Sequence, residues 1–287
     1  MIDVRCVVDG SARPPLENLH HARRSMDGRY LVARVEGVAV GCAMSVVFPG
    51  MSADPFLWGD VSVLPAHRSR GIGGELLRRV SARGRELGKQ GLQLEVKAGD
   101  AHSIRFVEQR GFAETEREHE VELDPAALGE PPAVQPPPGV EIVSYAQRPD
   151  LEEEMYEVDR EATADIPGLA SSFDQTFEEW RRFAVERPTR DFDLTFLALA
   201  GGRVVGVAYM ETLGETCFHN LTGVRREWRG RGVASALKRA QIAGAHARGI
   251  TKLTTGSQED NAPMRRLNEK LGYRPTIANI VYQGPLL

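Results

Sequence analysis

Two glycine-rich turns, Arg68-Ser-Arg-Gly-Ile-Gly73 and Arg229-Gly-Arg-Gly-Val-Ala234, stand 161 positions apart (232 − 71) in this chain. The same offset carries Arg70 onto Arg231, Leu76 onto Leu237, Gly88 onto Gly249, Leu92 onto Leu253 and Gly111 onto Gly272. No gap is needed between the blocks Val61–Phe112 and Thr222–Tyr273. In-register self-similarity over a block of that length marks an internal duplication. It restricts the chain to two copies of one fold, and 287 residues suit two domains of ordinary size.

Each block reads as an alternating strand, a glycine-rich turn, a helix, a short strand and a second helix ending at glycine. Ile72, Leu76, Val80 and Leu87 recur at helical spacing in the first copy, as do Val233, Leu237, Ala240 and Ala247 in the second. A strand pair precedes each block: 29–36 with 39–48 around Gly37, and 194–200 with 204–211 around Gly201-Gly202. The second half adds a strand at 141–145 and helical stretches at 151–164 and 174–186, whereas 15–26 leaves the first half room for one helix. Asp124–Gly139 holds six prolines in sixteen residues and no apolar periodicity, so it reads as a linker. The expected domains are therefore 1–123, an abbreviated copy, and 140–287, the fuller one, with a linker at 124–139. The fold class is α/β, in the α+β sense of a mixed sheet.

The turns carry the chemistry. Small residues at Gly71, Gly73 and Gly74, and at Gly232, Val233, Ala234 and Ser235, let a ligand approach the backbone where free amides and the helix dipole favour an anion. Arg68 and Arg70, like Arg229 and Arg231, add charge-assisted bonds to phosphate. Neither turn ends in Gly-Lys-Ser/Thr, and Leu76 and Leu237 interrupt GxGxxG, which disfavours nucleoside triphosphate and dinucleotide sites.

With these two turns the chain resembles the GNAT superfamily of N-acetyltransferases, whose diphosphate motif is R/Q-x-x-G-x-G/A. Two tandem GNAT-like acyl-CoA N-acyltransferase domains are what the resemblance implies, along with acetyl-CoA as acyl donor and no metal. Val61, Val63, Thr222 and Val224 fall where the family's fourth strand pairs with pantetheine. Asn261 opens the segment that ends at Gly272-Tyr273, and Asp100 stands there in the first copy. The implied reaction is direct attack of a primary amine of a small molecule or peptide on the thioester. An alkyl ammonium with a pKa of ~10.4 is mostly protonated at neutral pH, a deficit of about 4 kcal/mol that a base or a desolvating pocket must offset. Glu211 and then His219 are the expected bases, and the Val224 amide is the expected oxyanion donor. The family's tyrosine acid is replaced by Asn268 after Leu267, and by Val107 after Phe106 in the first copy. Its absence motivates the alternative of a non-catalytic acyl-CoA-binding or interaction module. The second copy, with its fuller set of parts, is expected to catalyse, and the first to bind coenzyme A weakly or serve structurally.

Composition narrows the partners. A net charge of −4 gives no general attraction for nucleic acid. The apolar stretch 30–48 is broken by Arg34 and Glu36, which excludes it as a membrane span. Met1–Gly10 lacks the pattern of a signal peptide, so a cytoplasmic location is expected. Cys6, Cys42 and Cys217 have neither CxxC spacing nor an even count, and read as reduced thiols. The acidic residues Glu152, Glu153, Glu154, Glu157, Asp159, Glu161 and Asp165 form either a solvated helix face or an attractor for a cationic amine. The oligomeric expectation is a monomer or homodimer.

Overall fold

A computed structural model describes residues 16–166 and 174–287; Cys6 and Met1–Gly10 lie outside them. The chain forms two compact units, Met1–Glu118 with Ala278–Leu287, and His119–Ile277.

Unit one opens with α1 (Leu16–Ser25) and a hairpin of β1 (Asp27–Val35) and β2 (Val38–Val47). The hairpin turns at Glu36-Gly37, both at positive φ (50° and 81°), the geometry that matches the twist of the flanking strands. There follow β3 (Phe56–Val63), α2 (Ile72–Glu86), β4 (Gly91–Lys97), α3 (Ala101–Glu108) and the first part of β5 (Ala113–Leu123). Unit two holds the rest of β5, then β6 (Val140–Ser144), α4 (Glu152–Thr163), and α5 (Phe177–Trp180), which runs into a π turn, Arg181–Val185. It continues through β7 (Phe196–Ala200), β8 (Arg203–Leu213), β9 (Thr216–Val224), α6 (Val233–Ala247), β10 (Lys252–Gln258), α7 (Ala262–Lys270) and β11 (Arg274–Pro275). The last strand, β12 (Asn279–Pro285), returns to unit one. It pairs antiparallel with β4 from Asn279↔Lys97 to Pro285↔Gly91 and with β5 from Asn279↔Glu118 to Gln283↔Ala113.

The strand order is β1-β2-β3-β4-β12-β5 in unit one and β10-β9-β8-β7-β6 in unit two. The placement of β12 is why the units differ from 1–123 and 140–287. The proline-rich stretch has no regular secondary structure and belongs to unit two. There Leu128 packs on the core with Leu123, and its carbonyl meets His246 Nε2 at 3.1 Å.

The duplication is exact in the elements around the turns. Helices α2 and α6 each have fifteen residues and begin 161 positions apart, as do β4 and β10. Both helices are entered from a 3-10 turn, Pro65–His67 or Arg226–Trp228. The copies differ at β9, which has one residue more than β3. Its register against β8 shifts between Ala208↔Thr222 and Met210↔His219, so two residues of β9 oppose Tyr209 alone. Thr222 therefore corresponds to Val61, while His219 corresponds to Gly59.

In unit one a single core of Leu57, Leu77, Val80, Leu92, Val96, Val107 and Phe112 lies under α2 and α3. In unit two α4 and α5 cover one sheet face, with Met155, Val158, Trp180 and Tyr209. The other face carries Cys217, Met210, Ile242 and Leu253 beneath α6 and α7. Among the described residues no helix is long and apolar enough to cross a membrane.

Candidate active site

In each unit the central parallel strand pair parts company. β3 pairs with β4 only from Phe56↔Gly91 to Gly59↔Leu94, and β9 with β10 only from Thr216↔Lys252 to Phe218↔Thr254. Beyond these pairs one edge of β3 and of β9 is left without a strand partner. Backbone alternation fixes which groups face that gap. Arg225 N–H points to β8, 3.0 Å from Val205 O, so the amide and carbonyl of Val224 point the other way. The Val224 carbonyl accepts from Arg229 Nε at 2.9 Å. Unit one repeats this, with Leu64 N–H 2.9 Å from Val40 O and Arg68 Nε 3.2 Å from Val63 O. The first arginine of each turn thus braces the end of the splayed strand with Nε.

Gly71 and Gly232 cap α2 and α6 at φ 82° and 92°, a left-handed conformation that a Cβ would strain. Space beside them is open: a Cβ on either would meet nothing within 4 Å. In unit one the turn opens into a cavity of about 330 Å³ lined by Val61, Val63, Arg68, Gly71, Gly73 and Gly74, with Arg105 and Arg110 of the α3 segment on its far wall. Arg110 stacks on Phe106, 3.8 Å from the ring centroid. Six of the seven predicted first-copy residues are therefore on one cleft, which runs between the start of α2 and α3, and Arg70 is not among its lining residues. Asp100 keeps its charge there, 3.9 Å from Arg68 Nη2. It caps α3, accepting from the amides of His102 and Ser103 at 3.1 Å, as Asn261 caps α7 by accepting from Met264 N–H at 3.3 Å.

In unit two the turn has a closer competitor. Asp165, just beyond α4, meets Arg229 Nη1 at 2.7 Å and chelates Arg226 at 2.7 and 2.9 Å. The Arg226 bonds, then Arg229, pull its carboxyl down to about 2. Four more residues of the acidic run are similarly engaged. Glu152 takes Tyr145 and Arg181, Glu154 takes Arg203 and the Val204 amide, Glu157 takes Arg160, and Glu161 takes Arg225. These residues make ion pairs within unit two.

The two expected bases face opposite sides of the sheet. Glu211 opposes Phe218, while its neighbour Met210 opposes His219. Glu211 is ion-paired with Arg187 and accepts from Thr189 Oγ1 at 2.7 Å. Burial pushes its carboxyl up, but the guanidiniums of Arg187 and Arg190 outweigh burial and hold it below the ordinary value of 4.5. That makes it a weak base. His219 is 1% exposed. Gln241 Nε2 donates to Leu194 O and Ala208 O at 3.2 and 3.1 Å, so Gln241 Oε1 must accept from His219 Nδ1 at 2.8 Å. His219 Nε2 then accepts from the Tyr273 hydroxyl. Burial, together with Lys238, holds the imidazole well below its ordinary value. A neutral ring with both nitrogens engaged is a structural group.

Asn268 is also 1% exposed, and neither amide atom has a hydrogen-bond partner. Thr222 Oγ1 and Ser257 Oγ, on the same half of unit two, are buried and unpartnered as well. The sequence reading missed Lys238, which lies inside the apolar stripe of α6, 1% exposed, its Nζ 5.5 Å from the Tyr273 ring centroid. The signal was available: its counterpart in the first copy is Leu77. It also missed Arg190, buried over Tyr209 and bonded to Ala184 O, Met210 O and Asn220 Oδ1. Cys42 and Cys217 are buried and free. Among the described residues no three His, Cys, Asp or Glu side chains are grouped to hold a metal.

The acetyltransferase (GNAT) family model matches residues 4–112 and again 152–273, one match over each glycine-rich turn. The chain belongs to the GNAT family. It is an acyl-CoA-dependent acetyltransferase with two GNAT regions in tandem. GNAT relatives include a mycothiol acetyltransferase of Catenulispora acidiphila, 25% identical over 96% of this chain and 90% of that one. Another from Thermobispora bispora is 28% identical over 78% and 75%. Two solved structures share the fold. A GCN5-related N-acetyltransferase from Sphaerobacter thermophilus has a TM-score of 0.77 at 22% identity, covering 99% of this chain and 91% of that one. A tandem GNAT protein from the clavulanic acid biosynthesis pathway has a TM-score of 0.76 at 19% identity, covering 100% and 94%.

Proposed function

We propose that the protein moves an acetyl group from acetyl-CoA to a primary amine of a small molecule or peptide, with coenzyme A held at both glycine-rich turns and chemistry in unit two. The observation that carries this reading is the matched cradle: a left-handed glycine, the first amides of a long helix and a splayed strand, twice in one chain.

In unit one Gly71, Gly73 and Gly74 offer the diphosphate their backbone, Arg68, Arg70 and Arg105 offer charge, and Val61 and Val63 face the pantetheine. In unit two Gly232, Val233, Ala234 and Ser235 take the diphosphate with Arg229 and Arg231, Asn261 fixes α7, and Thr222 and Val224 line the pantetheine. The outward amide of Val224 suits the oxyanion of the tetrahedral intermediate. Chemistry belongs in unit two because its interior is polar where that of unit one is not. Glu211, its proton affinity lowered by two arginines, serves as an acceptor-side carboxylate that orients the amine, and attack draws on the neutral fraction of that amine. His219 supports the interior rather than taking the proton. The mycothiol acetyltransferase relatives favour a small-molecule acceptor. The reading takes a cytoplasmic monomer or homodimer that uses neither metal, nucleic acid nor membrane.

Acceptor-dependent release of free thiol from acetyl-CoA across a panel of primary amines tests it. Tight binding of coenzyme A with no amine-dependent release would favour the non-catalytic acyl-CoA-binding module instead.

A further inference from the structure

The two copies can be compared position by position, because α2 and α6, β4 and β10, and α3 and α7 keep one offset. Four polar side chains of unit two, Thr222, Lys238, Ser257 and Asn268, then fall on Val61, Leu77, Val96 and Val107 of unit one. The four apolar residues belong to the core of unit one or pack against it. Three of their polar counterparts are not satisfied by the protein: Thr222 Oγ1, Ser257 Oγ and both amide atoms of Asn268, four groups in all, are buried without partners. Leaving one such group buried and unpaired costs about 1–3 kcal/mol. A folding core gains nothing from acquiring four of them in one region, so a ligand group is the natural partner.

Lys238 is the charged member. Its side chain sits one helical turn past Ala234 of the cradle and faces the Tyr273 ring, whose hydroxyl holds His219. His219 is the first residue of β9 beyond the last paired residue, Phe218. Lys238 therefore lies at the apex of the splay, on the face covered by α6 and α7, and Asn268 occupies the α7 position where the family's tyrosine is missing.

We propose that Lys238 is the proton donor to the departing coenzyme A thiolate in unit two, with the Asn268 amide holding the sulfur. This rests on unit two being the acetylating site. As the tetrahedral intermediate collapses, the carbon–sulfur bond breaks and its electron pair goes to sulfur. A proton moves from the Lys238 ammonium to that sulfur, leaving a neutral amine in an apolar surround. The proton lost by the attacking nitrogen as the amide forms restores the ammonium, so no further reactant is needed. Burial supports the assignment by pushing Lys238 down to about 7, where an ammonium gives up its proton readily. The titratable groups around it are His219 and Cys217 of β9 and Tyr273 beyond α7. Burial drives His219 well down and both Cys217 and Tyr273 up, which leaves Lys238 to titrate near neutrality.

The experiment uses the full chain with acetyl-CoA and an amine that wild type acetylates. Lys238→Met and Lys238→Leu, the second being the residue of the first copy, are expected to bind coenzyme A as wild type does and to keep KM for acetyl-CoA within about two-fold. kcat should fall by about 100-fold or more, and the limb expected of wild type above about pH 7, where log kcat bends downward as Lys238 loses its proton, should be gone from both. Near-normal kcat in the variants, or a fall with that limb retained, overturns the proposal. So does stoichiometric acetylation of Lys238 in wild type, which would make it a nucleophile. Absence of any amine-dependent turnover in wild type would instead refute the catalytic reading of unit two.

Discussion

At the level of single residues, charge and burial decide what each candidate does. Lys238 is an ammonium inside a core. Its folded pKa of about 7 against an ordinary 10.5 means that folding disfavours the charged form. The penalty is complete below pH 7 and is relieved as pH rises towards 10.5. Lys238→Met should therefore stabilise the protein at pH 6 by a few kcal/mol, at most about 5 at 1.36 kcal/mol per pH unit, with the gain fading towards pH 10. Denaturant melts of both proteins across that range check it; an equal gain at every pH would contradict it. Glu211 behaves oppositely. Its lowered pKa gives stability that is complete above the ordinary 4.5 and lost as pH falls through the folded value. Glu211→Ala leaves Arg187 and the buried Arg190 without their carboxylate and should cost about 3 kcal/mol at neutral pH. A loss under about 1 kcal/mol would show that the pair is solvated. The sequence identified Glu211 and His219 as polar groups near the site, but not that they face opposite sheet faces. That depends on the Gly214-Glu215 turn, which sets Glu211 opposite Phe218 and Met210 opposite His219, and one residue of register inverts a side chain.

Elements carry the cradle. A helix N-terminus with open space beside a left-handed glycine was legible in the sequence because glycine spacing and the apolar stripe are local signals. The competing contact from α4 was not, since Asp165 lies more than sixty residues from Arg229 in sequence. That ion pair is partly exposed and so contributes little to stability, roughly 0.5 kcal/mol. It does hold an Arg229 Nη that a phosphate would use. Asp165→Asn should leave the melting temperature almost unchanged and tighten coenzyme A binding at unit two several-fold, measured in a Gly71→Glu background. Unchanged or weaker binding would mean that Asp165 does not compete with the diphosphate.

For the whole molecule, the duplication in the sequence predicted two copies and two hairpins, and both are present, while the proline-rich stretch expected as a linker falls inside unit two. The destination of the last strand was hidden. Ile280 and Tyr282 give β12 its apolar side, yet such a pattern suits any open sheet, and only the tertiary structure places it between β4 and β5. Removing residues 278–287 should take a central strand out of unit one and bring down its solubility and its hydrogen-exchange protection. A truncated chain in which β4 and β5 stay protected would contradict that topology. The expressed fragment 1–123 should fail for the same reason. The central claim is that amides at the start of α2 and α6 hold the diphosphate of coenzyme A. Calorimetric titration of coenzyme A into wild type, Gly71→Glu and Gly232→Glu tests it most directly. Two binding events are predicted in wild type and one in each variant; two undiminished events in either variant would contradict the account.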